Sequence, residues 1–452
     1  MIKRLFSSQL RINMVSGVAA MTVNAVVVGI GYPIYLHFLG YEQFGVWLVL
    51  ATVLSFAQLG NLGVEHAVMK LVAEEYGRND LQAVQRYVAT GLAILMTTGA
   101  GVLATIVLLK SSIIAAFSLT GENARVGIWL LPYMGCLSVY VFIVQALNAT
   151  LSGLGRMDLA NWIQLCGRFV AVAATTILLY AGYGIESLLI GSSASYATIH
   201  LLSHIAIHRI ARVRLFRLKN LSVNSCRRLL RFGGGVFGSS LLGMLVSPFN
   251  KLMLSRYAGV ETVPVYEIAY QAACVFRSIF DSAIRAIMPE ISRLSGERTI
   301  YGMERIRSVN ARAMRIIGAI ALPSAGILML AAEPLLEIWL GDRYLSTIPT
   351  AFRIMLIVMF ISLVSVPAHY TIMGLGKVRY FVIAGIIGGG GDCLLVTISY
   401  LLTGCVSVNS IGMCMIVVFA VSTTYVMLRA HQLMGRHAEE VRYSQIAPGR
   451  AG

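Results

Sequence analysis

The chain has 452 residues, of which 57% are hydrophobic and only 12% are charged. Soluble domains carry about 25% charged residues, so this composition excludes a disordered chain and argues against a soluble multidomain enzyme. The net charge of +16 would suggest nucleic acid only if basic residues clustered on a soluble face. Here they lie in short loops between long apolar stretches. The composition therefore predicts an integral membrane protein with no nucleic-acid partner.

Twelve stretches are long and apolar enough to be transmembrane helices, which need roughly 20 residues each. No alternation typical of membrane β-strands runs through the chain, so the predicted fold is all-α. The predicted spans are 12–36, 46–68, 87–109, 126–150, 159–181, 186–207, 232–255, 266–288, 314–338, 351–373, 380–402 and 406–429.

The basic residues predict the orientation of these spans. The segments on one side hold 27 Lys and Arg residues and those on the other side hold 4, which places both termini in the cytoplasm. The longest basic break divides the spans into six and six. The predicted organisation is an N-terminal lobe at 1–207, a cytoplasmic linker at 208–231, a C-terminal lobe at 232–430 and a cytoplasmic tail at 431–452.

Two short sequences recur in both halves at offsets of 219 and 221 residues. Leu39–Trp47 is similar to Ala258–Tyr266, and Ser152–Arg156 is similar to Met373–Lys377. Shared turn chemistry would also produce such matches, but two at nearly one offset favour a duplication. Because each half has an even number of spans, the halves form a parallel repeat, which places a substrate site at their interface. The prediction is two pseudo-symmetric six-helix bundles around a central cavity.

Charged side chains within spans mark candidate sites, because each costs roughly 2.5–3.5 kcal/mol at the helix centre. Arg277, Asp281 and Arg285 share one face of the eighth span, and together they carry one excess positive charge. That face suits an anionic head group in a wet cavity, although an ion pair to a neighbouring helix would use the same residues. The other predicted cavity residues are Arg168, Asn24 and Lys251, of which Lys251 can also reach the outer membrane surface.

The sequence contains none of the catalytic motifs that would indicate an enzyme. Around Lys377 a Walker A loop would need Gly at 371 and Ser or Thr at 378, but these residues are Thr371 and Val378. Neither an HExxH zinc motif nor a GxSxG nucleophile elbow is present. The seven cysteines have no CxxC spacing, so neither a disulfide framework nor a metal site is expected.

Several loose motifs occur in an order and spacing that resemble one family. They are LGYEQFGVW from Leu39, NLGV from Asn61, VAEEYGRND from Val72, NKLML from Asn250, VYEIAY from Val265 and MPEISRL from Met288. The whole chain resembles bacterial polysaccharide flippases of the multidrug/oligosaccharidyl-lipid/polysaccharide exporter superfamily. Asn61 replaces the usual Asp of this family, so a role carried by that carboxylate is not expected here.

The resemblance implies a non-enzymatic exporter in the bacterial inner membrane. It would move polyprenyl-pyrophosphate-linked oligosaccharide units to the periplasmic side for O-antigen or other surface polysaccharide. The polysaccharide polymerase and chain-length machinery would be its further protein partners, and membrane lipids would surround it. Ion coupling is common in the superfamily. Coupling to H⁺ or Na⁺ would use Asp392, Asp281 or Glu65, and no cofactor is expected.

Two other functions remain open on the sequence. A multidrug exporter of the same fold would favour buried carboxylates for cationic drugs, whereas the eighth span carries two Arg and one Asp. A membrane glycan polymerase or ligase would carry a large periplasmic loop, and the longest predicted outer connection spans only 110–125.

The predicted orientation can be tested with a reporter fused after residue 220, within the predicted linker. We expect the reporter to lie in the cytoplasm, because the segment around residue 220 is the most basic of the chain. Fluorescent-protein and alkaline-phosphatase fusions at the same position give opposite signals. Phosphatase activity there would overturn the orientation of all twelve spans.

Overall fold

A computed structural model describes residues 8–211, 221–285, 300–375 and 379–446, together with Ile291 and Lys377. These residues are helical apart from short turns, and they contain no β-strand. The predicted all-helical fold is confirmed for this part of the chain. The α-helices are α1 (Ser8–Ala57), α2 (Val64–Gly77), α3 (Leu81–Ala116), α4 (Gly121–Gly153), α5 (Met157–Tyr180), α6 (Glu186–Ala211), α7 (Val223–Tyr257), α8 (Thr262–Arg285), α9 (Ile300–Ile316), α10 (Leu322–Leu330), α11 (Ala332–Leu340), α12 (Thr347–Val364), α13 (Val366–Gly374), α14 (Arg379–Gly385), α15 (Gly391–Thr403) and α16 (Val408–Ile446).

Eight helical segments among the described residues are long and apolar enough to cross a bilayer. The chain is thus a multi-pass membrane protein. One of these segments, Thr22–Asn61, covers most of the first predicted span and most of the second. It bends at Gly40, where φ is 67° and ψ is −179°, so α1 is two helices joined at that glycine. The count of twelve spans and the cytoplasmic termini stay predictions. Residues 212–220 of the predicted linker, and the 288–294 motif apart from Ile291, lie outside the described residues.

The helices form two compact units. Unit 1 comprises Met1–Gly238 and Lys251–Pro264, and unit 2 comprises Ser239–Asn250 and Val265–Gly452. The long helix α7 therefore contributes residues to both units.

The core of unit 1 is made of apolar side chains from α2, α3 and α4, with additions from α5, α6 and α7. Val68, Leu92 and Phe142 are completely buried in it. α3 packs against α4, α5 packs against α6, and α1 packs against α5. Because a buried Val or Leu side chain stabilises by roughly 1.5–3 kcal/mol relative to exposure, this apolar core holds unit 1 together.

The VAEEYGRND motif forms the turn between α2 and α3. α2 ends at Gly77, and Asn79 adopts the left-handed conformation with φ of 61°. The Asp80 carboxylate accepts a hydrogen bond from the backbone N–H of Ala83 at 2.8 Å and so caps the first turn of α3. Glu75 accepts a hydrogen bond from Arg78 at 3.4 Å. This motif is therefore explained by helix capping at a loop.

The LGYEQFGVW motif places a glycine where two chain segments touch. A Cβ atom added to Gly45 would overlap the backbone carbonyl oxygen of Val260. Both residues belong to unit 1, and Ser255 fixes the same segment by donating to the carbonyl of Phe117 at 2.7 Å. Gly45 is therefore required because no larger residue fits against Val260.

Unit 2 is organised around α16, against which α12, α13, α14 and α15 pack. Ala368, Ile372, Val426 and Ala430 are buried where α13 meets α16. Among the described residues of unit 2, two π-helical turns interrupt the helices, at Ile317–Ala321 and at Ile386–Gly390. The described helices of unit 2 are thus regular apart from these two local departures from α geometry.

Substituting Gly45 should reveal the contact with Val260. Gly45→Ala should destabilise the protein by about 1–3 kcal/mol, because the added methyl group overpacks the site. The matched control is Gly101→Ala on α3, where an added Cβ meets no atom within 4 Å. There the better helix propensity of Ala should leave stability unchanged or raise it. The thermal midpoint of purified protein in detergent measures both, and equal midpoints would contradict the contact.

Candidate functional site

Three amide side chains form a chain where the second predicted span is interrupted. Asn61 Nδ2 donates to Gln145 Oε1 at 2.7 Å, and Gln145 Nε2 donates to Gln58 Oε1 at 3.0 Å. Asn61 Oδ1 accepts from the backbone N–H of Glu65 at 3.2 Å. Because each amide has both donors and acceptors, this chain can exchange its partners for the hydroxyl groups of a bound sugar.

The backbone explains why the amides meet at this point. A 3₁₀ turn, Gln58–Asn61, is followed by Leu62 and Gly63 in the left-handed conformation, with φ of 50° and 70°. A Cβ atom on Gly63 would overlap the carbonyl oxygen of Gly233 in α7. Gly63 therefore allows both the interruption of the helix after Asn61 and the close approach of α7. Interrupted helices with free polar groups are typical of binding sites in transporters.

The other predicted site residues of unit 1 lie on different helices. Asn24 on α1 and Glu65 on α2 are partly buried, Lys251 on α7 is buried, and Arg168 on α5 is exposed. Glu65 adjoins the amide chain, because its backbone N–H donates to Asn61 Oδ1. The predicted roles of these four residues in substrate or ion binding stay predictions.

Asp392 is the most deeply buried carboxylate among the described residues, with an exposed fraction of 0%. Asn250 Nδ2 donates to Asp392 Oδ2 at 3.0 Å, and the same amide contacts the sulfur of Met415 at 3.7 Å. Tyr266 is also completely buried in unit 2. Asp392 Oδ1, Asn250 Oδ1 and the Tyr266 hydroxyl have no hydrogen-bond partner among the described residues.

Local features of the helices place this group. Asp392 lies two residues after the Ile386–Gly390 π turn, which contains three of the four consecutive glycines. Asn250 follows Pro248 inside α7, where proline removes one backbone hydrogen bond. No group of three or more His, Cys, Asp or Glu could hold a metal ion in the described part of the chain. A single carboxylate with amide and hydroxyl oxygens is instead suited to a proton or a monovalent cation.

The polar face of α8 meets α13. Tyr370 donates its hydroxyl to Asp281 Oδ1 at 3.2 Å. The His369 ring stands edge-on to that of Tyr370, with the ring centroids 5.6 Å apart. Arg277 Nε is buried and has no hydrogen-bond partner among the described residues. Arg285 is the last residue of α8, and its side chain lies outside the described part.

Sequence reasoning missed several of these residues. Gln145, Tyr266, His369 and Tyr370 join predicted site residues, but none of them was predicted to do so. Gln145, His369 and Tyr370 lie within otherwise apolar stretches, whereas Tyr266 lies on α8 beside Glu267. One signal was present in the sequence. His369 and Tyr370 are adjacent polar aromatic residues between Ala368 and Thr371 in an apolar stretch, which marks them as candidate site residues.

Comparisons with known proteins agree with this architecture. The chain is 25% identical over 316 residues to the succinoglycan biosynthesis transport protein ExoT of Rhizobium meliloti, a match covering 69% of this chain and 58% of that protein. It is 19% identical over 344 residues to a protein named as an O-antigen transporter of Shigella flexneri, covering 75% and 78% of the two chains. The chain thus spans less than two thirds of the length of the Rhizobium relative.

A solved structure shares the fold. It is the inward-facing conformation of a multidrug resistance MATE family transporter of the MOP superfamily, with a TM-score of 0.76 and 15% identity. The alignment covers 95% of this chain and 98% of that one.

The family match itself extends over residues 37–349, and the resemblance to polysaccharide exporters is confirmed. The chain belongs to the polysaccharide biosynthesis protein family.

Proposed function

We propose that this protein is a flippase that moves polyprenyl-pyrophosphate-linked oligosaccharide units across the bacterial inner membrane. The observation that carries the proposal is the family match over residues 37–349, together with relatives named for succinoglycan and O-antigen transport. The product would supply the polymerase and chain-length machinery that build surface polysaccharide. Alternating access is the mechanism that we propose for the movement.

The proposed substrate has an anionic head, which needs a cation within the membrane. Arg277 offers a buried Nε donor that has no hydrogen-bond partner among the described residues. The neutral Tyr370 hydroxyl donates a hydrogen bond to Asp281 Oδ1 at 3.2 Å, so this carboxylate has a hydrogen-bond donor other than an arginine. Arginine binds phosphate oxygens through several directed donors. We therefore propose Arg277 as the residue that contacts the pyrophosphate, with Arg285 continuing the path along α8.

The sugars of the substrate require polar groups that hydrocarbon cannot provide. We propose that Gln58, Asn61 and Gln145 serve this purpose in unit 1. In the absence of substrate they satisfy one another, at 2.7 and 3.0 Å, so the empty protein does not leave them unpaired.

One alternative has a specific observation in its favour. The fold neighbour is a multidrug transporter, so export of drugs by this chain is the second candidate function. Cationic drugs would require buried carboxylates free of competing cations. The α8 face has two Arg for one Asp, and Tyr370 already engages Asp281. These features favour an anionic substrate.

We further propose that Asp392 couples transport to an H⁺ or Na⁺ gradient. Its Oδ1 atom lacks a hydrogen-bond partner among the described residues, and an ion or proton would satisfy it. An unpaired buried charge is costly, so occupancy by a cation stabilises this group strongly. Asp281 and Glu65 are the other candidates for the same role.

Removing the charge of Arg277 tests the substrate proposal. Arg277→Gln should lower export of lipid-linked oligosaccharide by roughly 10- to 100-fold, the effect of losing a hydrogen bond to a charged group. Mass spectrometry of the lipid-linked sugar pool, in cells that produce the variant in place of the native protein, measures the accumulated substrate. The control is Arg125→Gln, an exposed arginine at the start of α4. Normal export by Arg277→Gln protein present in the membrane would exclude this site.

Ion coupling is tested by transport into inverted membrane vesicles under an imposed H⁺ or Na⁺ gradient. Asp392→Asn should abolish the response to the gradient, because the amide cannot exchange a proton and binds a cation weakly. Asp342→Asn, at an exposed position, loses the same charge and should respond normally. If Asp392→Asn keeps the response while Asp281→Asn or Glu65→Gln loses it, coupling belongs to that other carboxylate.

A further inference from the structure

Two arginines open onto a surface crevice in the first half of a candidate membrane span. The span is Glu304–Leu330, and Arg312 and Arg315 lie in the part of it that α9 forms. The crevice has a volume of about 350 Å³ and is lined by Arg312, Arg315, Ile316, Ala319 and Ile320. It is charged at one end and apolar at the other.

Both guanidinium groups are available to a ligand. Residues three apart on a helix are surface neighbours, so the two side chains can act on one group. Both residues are exposed, and no ion pair or hydrogen bond engages either guanidinium within the part of the chain that the structure describes. Arg353, by comparison, donates to the carbonyl of Met329 at 3.0 Å and lies 4.0 Å from Glu333. The Arg312–Arg315 pair therefore differs from an arginine that is used to hold helices together.

The apolar end of the crevice continues along the span. Ile316 and Ile320 have exposed fractions of 42% and 57%, and Ile327 further along has 65%. Such side chains on a membrane-spanning helix contact lipid chains. The π turn Ile317–Ala321 interrupts the helix within this surface, and Ala319 inside it leaves room between the two larger side chains. π turns within α-helices are frequent at functional sites.

We infer that this crevice binds one anionic phospholipid, with its phosphate between Arg312 and Arg315 and an acyl chain along Ile316 and Ile320. Basic pockets at the cytoplasmic ends of transmembrane helices bind anionic head groups, and the orientation from the sequence places Arg312 at that side. Phosphate matches the donors of the two arginines, and an acyl chain matches the apolar surface beyond them. The site does not depend on the proposed transport activity.

Native mass spectrometry of the full-length protein in mild detergent tests this site. Titration with phosphatidylglycerol should give saturable retention of one lipid, whereas phosphatidylcholine should not be retained. Arg312→Gln and Arg315→Gln should each weaken retention about fivefold, the effect expected for one arginine at a membrane surface. Thermal midpoints of the variants confirm that they are folded.

The control is Arg307→Gln, which removes an exposed positive charge two helical turns before Arg315, outside the lining of the crevice, and should leave retention unchanged. If Arg307→Gln loses as much lipid retention, the lipid is attracted to the basic surface as a whole and is not bound at one site. That result would overturn the inference. Displacement of the lipid by inorganic phosphate would also overturn it, because a site for free phosphate would not need the apolar end. Displacement by polyprenyl phosphate at equal concentration would assign the crevice to the transport substrate instead.

Discussion

Inside a bilayer, each polar group must find its partner within the protein, and this constraint organises the whole molecule. Most hydroxyl groups in the spans meet it locally. Thr150 donates to the carbonyl of Ala146 at 2.7 Å, and Thr371 donates to that of Pro367 at 2.9 Å, each one helical turn back. Such bonds need no neighbouring helix. Groups that cannot be satisfied in this way require contacts between helices, and those contacts form the candidate sites.

Asp392 and the amide chain meet the constraint in opposite ways. Gln58, Asn61 and Gln145 are neutral and bond to each other, so the group is stable without a ligand. Asp392 receives one hydrogen bond from Asn250, and its second oxygen has none among the described residues. The first arrangement suits reversible binding of neutral hydroxyls. The second suits a group whose charge is balanced only when an ion or proton is bound.

Departures from α-helical geometry accompany the polar groups. The Gln58–Asn61 turn carries the amides, the Ile386–Gly390 π turn precedes Asp392, and the Ile317–Ala321 π turn lies in the Arg312 crevice. A regular helix directs its backbone groups to itself. Where the backbone hydrogen-bonding pattern changes, side chains are displaced and space opens between helices. These turns therefore place the polar groups that the candidate sites use.

The sequence predicted the all-helical fold because the apolar stretches are long and the interior of the membrane is apolar. It also predicted Arg277, Asp281 and Asp392 as unusual, since charge stands out against such a background. It did not predict their partners, because Tyr370 and Asn250 are distant in the chain and only packing brings them near. Several motifs taken as family markers have simple structural causes, such as the helix cap at Asp80 and the close contact at Gly45.

The membership of α7 in both units bears on how the protein is made. Unit 1 needs Lys251–Pro264, whose Ser255 and Val260 contact Phe117 and Gly45. A nascent chain that has left the ribosome only as far as Gly238 lacks these contacts. By the time Pro264 has left the ribosome, Ser239–Asn250 of the second unit has emerged before it. Unit 1 therefore reaches its final packing only after translation of the second half has begun, and a chain split before α7 would yield an N-terminal fragment without its closing segment.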